Sequence, residues 1–131
     1  MGNYFQKEIE CASADQIRAW QNERLVKQVK NIYDNVPYYR TRMQNKGLEP
    51  GDIKSIDDLH KLPFITKDDL RDAYPYGLLA RPLKDCVRMQ STSGTTGRRV
   101  VAFYTQHDLD LWEDCCARAI VAAGGTKEDV V

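Results

Sequence analysis

Long apolar runs are missing from this sequence, and nothing approaches the roughly 18 consecutive residues that crossing a bilayer requires. An excess of one charge is missing too. Lys plus Arg and Asp plus Glu balance at 19 each, so neither nucleic acid nor a membrane surface is expected as a partner. Cysteine and histidine are few and scattered. Cys11, Cys86, Cys115 and Cys116 form no C-x-x-C pair and His60 and His107 stand apart from them, so no metal ligand set is read. The vicinal Cys115 and Cys116 point different ways on a helix, which suits neither zinc nor an easy disulfide. "MGNYFQKEIECAS" has no apolar core of a signal peptide, and Gln6 stands where a myristoylation signal favours Ser or Thr. A reduced, cytoplasmic protein is the expectation, and any anion it binds must be held by a local site.

What is present falls into two textures. Residues 1–82 read as mainly helical. Ser13 and Gln16 have the spacing of a capping box, and Ile17, Trp20, Leu25, Val29, Ile32 and Val36 follow at helical intervals until Pro37 ends the run. A shorter helix through "YYRTRMQNK" stops at Gly47. Ser55 and Thr66 each open a short turn with two aspartates near its positive end, where helix-dipole stabilisation is a simpler role for Asp57, Asp58, Asp68 and Asp69 than acid–base chemistry. "YPYGLLARP" is a turn-rich connector, and its tyrosines, like Tyr38 and Tyr39, read as packing residues more readily than as an aromatic pocket. The basic residues of the long helix, interrupted by Asp15 and Glu23, read as a solvated face.

Residues 83–131 read as strand, loop, strand and helix. "CVRMQ" and "VVAFYT" are β-prone runs. Thr105 can cap a helix whose Leu109, Trp112, Cys116, Ala119, Ile120 and Ala123 make one face, with Gly124 and Gly125 ending it. Cys115 and Cys116 are expected in or near the core, His107 on the surface, and Tyr104 either against a ligand or bracing the loop. "TKEDVV" looks like the approach to another strand. The fold class is therefore α/β: a helical N-terminal layer leading into a first β-hairpin and helix of an incomplete α/β domain.

Between the two strands lies "STSGTTGRRV". It is not a Walker loop, because Gly94 and Gly97 are three apart, no lysine follows and a strand comes next; nor does it have the dinucleotide-binding pattern. Its parts still suit phosphate. Gly94 and Gly97 allow backbone N–H groups to converge, Ser91, Thr92, Ser93, Thr95 and Thr96 add hydroxyls, and Arg98 adds a permanent charge with a planar fork of donors. A flexible connector would use similar residues, so composition alone leaves cradle and linker equally open.

The same loop, "STSGTTGR", resembles the phosphate-binding loop of the adenylate-forming enzymes. Together with "NVPYYR", "SIDDLHKLPFITKDDLRDAYPYGLLA" and "YTQHDLDLWEDCCARAIVAAG", in that order, it is similar to the phenylacetate–CoA ligase family. The resemblance implies activation of an aryl acid such as phenylacetate by Mg2+ and ATP, followed by transfer of the acyl group to coenzyme A. It implies that Ser93, Gly94, Thr95, Thr96, Gly97 and Arg98 embrace the β- and γ-phosphates. The family loop usually continues with lysine and proline, where this chain has Arg98 and Arg99. The acid pocket, the adenine and ribose contacts and the catalytic residues are expected beyond residue 131, so the chain alone is expected to be inactive. Partners would be a small-molecule aryl acid and the remainder of a ligase chain. The alternative is a non-catalytic module that forms a homo-oligomer or senses a nucleotide.

Overall fold

A computed structural model describes residues 4–94, 97 and 99–130. Thr95, Thr96 and Arg98 of the expected phosphate loop lie outside the described residues.

Helix α1 (Lys7–Glu10) is a single turn, followed by the long α2 (Ala14–Asn35). The capping box that starts α2 forms in both directions: Ser13 Oγ accepts the Gln16 N–H, and Gln16 Oε1 accepts the Ser13 N–H at 3.0 Å. Val36 ends α2, and Pro37 is at once the first residue of α3 (Pro37–Asn45). Proline cannot continue α2, yet its fixed φ suits a helix start. The break therefore turns the chain back on itself and sets α3 against α2.

Gly47, at φ 67°, closes α3. Its N–H donates to Gln44 and that of Leu48 to Met43, the double bond of a Schellman termination. Leu48 is thereby folded onto the core of Val29, Val36, Tyr39, Met43 and Ile53. Those five side chains are the buried hydrophobic set among the described residues, and all come from α2, α3 and the segment after them. Tyr38 and Tyr39 are packing residues, as expected: Tyr39 is in the core and Tyr38 packs against it.

The aspartates of the short turns act more specifically than a helix dipole requires. In the 3₁₀ turn Ile56–Lys61 and in α4 (Lys67–Asp72), Asp58 and Asp69 complete capping boxes with Ser55 and Thr66. Asp69 also accepts the Tyr38 hydroxyl at 2.6 Å and pairs with Arg42 at 2.7 Å, pinning α4 to α3. The Tyr38, Thr66 and Arg42 donors hold its carboxyl well below the usual carboxylate range. Lys61 and the backbone N–H groups of Lys54 and Ser55 push Asp58 down to about 2. On the long helix Lys27 pairs with Glu23 and Lys30 with Asp34, while Arg18 reaches Asp57. The solvated-face reading of this helix holds.

The second texture forms β1 (Cys86–Ser91) and β2 (Val101–Thr105), an antiparallel pair, then α5 (Gln106–Ala122). Thr105 caps α5 in a capping box with Asp108, and Gly124 and Gly125 end it in a second Schellman pattern. Register pairs Met89 with Phe103 and Ser91 with Val101, but slips between Cys86 and Arg88, leaving Val87 as an extra residue.

One expectation for this half is corrected. The face of α5 built from Trp112, Cys116, Ala119, Ile120 and Ala123 is exposed, and Cys115 and Cys116 are both exposed rather than core residues. The physical reason is that the packing of α5 is mainly on β2, where Tyr104 meets Trp112 with ring centroids 5.6 Å apart, with a hydrogen bond from Arg118 to Gln6 tying it to the N-terminal segment. At the start of "TKEDVV" the chain makes a local turn. Thr126 and Asp129 close a capped turn, with the Thr126 N–H donating to the Asp129 carboxylate at 2.8 Å.

Candidate functional site

The hairpin ends in the loop that the sequence singles out. Beyond the Ser91–Val101 pair, the Thr92 N–H donates to the Val100 carbonyl at 3.0 Å, and the Val100 N–H donates to Thr92 Oγ1 at 3.1 Å. The Thr92 hydroxyl oxygen thus helps close the neck of the loop as an acceptor, and its O–H remains able to donate. Past that neck the Gly97 N–H returns to the Gly94 carbonyl at 3.2 Å, a tight turn. Gly94 has φ 74° and Gly97 φ 125°, both in the region that favours glycine.

This geometry leaves donors unspent. Among the described residues, the backbone N–H groups of Ser93, Gly94 and Arg99 and the Ser93 hydroxyl have no hydrogen-bond partner. Ser93 and Arg99 are exposed, so these donors are open to water or to an anion. Of the expected phosphate ligands, the structure therefore brings Ser93, Gly94 and Gly97 to one turn, and Thr95, Thr96 and Arg98 lie outside the described residues.

Other candidates separate from the loop. Tyr104 turns to Trp112 and braces α5, and Tyr76 lies against Phe103 with centroids 5.5 Å apart. His60 Nδ1 is 2.7 Å from the Asp57 carbonyl, a contact local to its own turn. His107 is exposed, at the rim of an open cleft of about 1360 Å³ between α2 and the hairpin. Arg24, Lys27 and Arg81 line that cleft over a floor that includes Leu70 and Leu78; Ser93, Gly94 and Gly97 do not. Asp108, beside His107, is lowered chiefly by the Thr105 N–H that it caps, which marks it as structural.

Two features of the site escape a reading of residue types. The free N–H groups depend on where the ladder stops, and the side chain of Arg99 folds back over Gly94. A Cβ added to Gly94 would lie 2.8 Å from Arg99 Cγ and 3.4 Å from its Nε. Only the Arg98–Arg99 doublet hinted that a second cation was at hand.

No helix among the described residues is long and apolar enough to cross a membrane. No family profile matches the chain. Individual proteins do. The chain is 49% identical over 123 residues to a phenylacetate-coenzyme A ligase of Pseudomonas putida, a match covering 94% of this chain and 28% of that protein. It is 44% identical to the phenylacetate-coenzyme A ligase of Escherichia coli K12 over the same shares, and 40% identical to that of Thermus thermophilus over 92% of this chain. The chain thus spans about 28% of the length of the curated relatives it matches. In three dimensions it superposes on 2-hydroxyisobutyryl-CoA ligase, crystallised with 2-HIB-AMP and CoA, with a TM-score of 0.80 and 25% identity over 90% of this chain and 26% of that one. A second structure of that ligase, in the postadenylation state, gives a TM-score of 0.75 at 22% identity. The architecture is that of the N-terminal part of an adenylate-forming CoA ligase. In sequence these residues are similar to phenylacetate-coenzyme A ligases, and in fold to part of an adenylate-forming CoA ligase.

Proposed function

We propose that this chain supplies the ATP phosphate-binding loop of an AMP-forming aryl-acid–CoA ligase acting on phenylacetate or a related acid. The observation that carries the reading is the 40–49% identity, over almost all of the chain, to proteins named phenylacetate-coenzyme A ligase. The chemistry would run in two halves. A carboxylate oxygen attacks the α-phosphorus of ATP, the bond to the β-phosphate oxygen breaks, and pyrophosphate leaves an acyl-adenylate behind. The coenzyme A sulfur then attacks the acyl carbon and expels AMP.

Within that sequence the loop's work is positioning. Free N–H groups of Ser93, Gly94 and Arg99 offer preorganised donors to the β- and γ-phosphates, holding them in line for departure as negative charge builds on the leaving group. Thr95, Thr96, Gly97 and Arg98 complete the cradle in this reading. Among the described residues no group of three or more His, Cys, Asp or Glu side chains could hold a metal ion, and Mg2+ that accompanies ATP would be held chiefly by its phosphates. The acid, the adenine and coenzyme A are assigned no residue of this chain. The partners that follow are a small-molecule aryl acid, coenzyme A and the remainder of a ligase chain. Val87 and Met89, 58% and 64% exposed on β1, offer that remainder an apolar surface.

Amide chemical-shift mapping of the chain with ATP tests the loop reading. Shifts are expected to concentrate at Ser93, Gly94, Gly97 and Arg99. Shifts concentrated at Arg24, Lys27 and Arg81 would move the phosphate site to the open cleft and defeat it.

A further inference from the structure

We propose that Arg99 is a ligand for polyphosphate, a second guanidinium of the loop whose stem is seated on Gly94. The inference rests on the reading of the loop as a phosphate cradle and assigns it a residue that the resemblance does not supply. Three observations carry it. The Arg99 side chain runs beside Gly94, with Cγ and Nε 2.8 and 3.4 Å from where a Cβ would stand, so the glycine makes room for it. Among the described residues, the guanidinium has neither a hydrogen-bond nor an ion-pair partner. Finally, the backbone N–H groups of Ser93, Gly94 and Arg99, at the same turn, are equally free.

An arginine that stabilised only the fold would be expected to spend its donors on a carbonyl or a carboxylate. This one lies exposed across the turn, with a planar fork suited to two oxygens of a phosphate. The tight Gly94–Gly97 turn limits where the stem can lie, so less freedom is lost when an anion is bound. The ligand class is a chain of phosphates, whether the tail of a nucleoside triphosphate or free pyrophosphate.

Titration calorimetry with inorganic tripolyphosphate tests the inference on the chain and two variants. Arg99→Met keeps an aliphatic stem over Gly94 and removes the charge; Arg99→Lys keeps a charge and removes the fork. The expected result is binding by the unaltered chain, weakened about tenfold or more in Arg99→Met, with a shallower salt dependence, and partly restored in Arg99→Lys. Equal affinity of Arg99→Met and the unaltered chain would overturn the assignment of Arg99 and leave the loop reading standing. Absence of binding by the unaltered chain would overturn both. Tripolyphosphate binding that ATP and pyrophosphate both displace supports a shared phosphate-chain site.

Discussion

Replacing Gly94 with valine is expected to lower the affinity for tripolyphosphate roughly 100-fold, a loss of about 2.7 kcal/mol, while the helical core stays folded. Two effects combine. At φ 74° a residue with a Cβ is strained, at a cost of about 1–3 kcal/mol, and a β-branched one is strained most. The added Cβ would also meet Arg99 Cγ at 2.8 Å, so the stem must leave its seat or the turn must open. Either movement misdirects the free N–H groups. Gly97 provides the internal comparison: it has φ 125°, but a Cβ there would meet nothing within 4 Å, so Gly97→Ala isolates strain from collision and is expected to be the milder change. Calorimetry on both variants, with circular dichroism to check the helices, reads the difference. Equal affinity of Gly94→Val and the unaltered chain would contradict the role given to the turn.

The largest stability effect is expected at Met43. Its side chain is 0% exposed and is packed with Val29, Val36, Tyr39 and Ile53. Truncation to alanine removes the transfer free energy of the thioether side chain and leaves a cavity that α2 and α3 can only partly collapse into, at about 2–5 kcal/mol. The effect is a large share of the total stability of a domain of this size, which is about 5–15 kcal/mol. Urea unfolding followed by helix ellipticity is expected to show a lower midpoint with the slope unchanged. An unchanged midpoint would mean that the core of this half lies elsewhere.

Local signals in the sequence translate well here because each has a local cause. The capping box at Ser13 forms as its spacing predicts, and Thr66 and Thr105 open their helices as expected, since the partners are three residues apart and no distant segment is needed. The Pro37 break, the Gly47 termination and the two strands follow for the same reason. What escapes is whatever depends on what lies across from a residue. The helical period of α5 announces one face, but periodicity cannot say whether a layer will cover it, and β2 covers too little. Thr126 and Asp129 satisfy each other in a local turn that β propensity does not announce. In the loop, Gly94 and Gly97 were legible as glycines in need of unusual backbone angles. The neck bond at Thr92 and the fold of Arg99 over Gly94 were not, because both are contacts across the loop between residues that composition treats as interchangeable.

The role proposed for these residues is that of the phosphate loop of a phenylacetate-activating ligase. The most direct test is phenylacetate-dependent ATP–pyrophosphate exchange by a chimera in which this chain replaces the matching 28% of the Pseudomonas putida relative. The predicted result is exchange within about tenfold of the parent enzyme, or about 1.4 kcal/mol of barrier, and its collapse when Gly94→Val is introduced. A folded chimera without exchange, or one whose exchange ignores Gly94→Val, would contradict the claim.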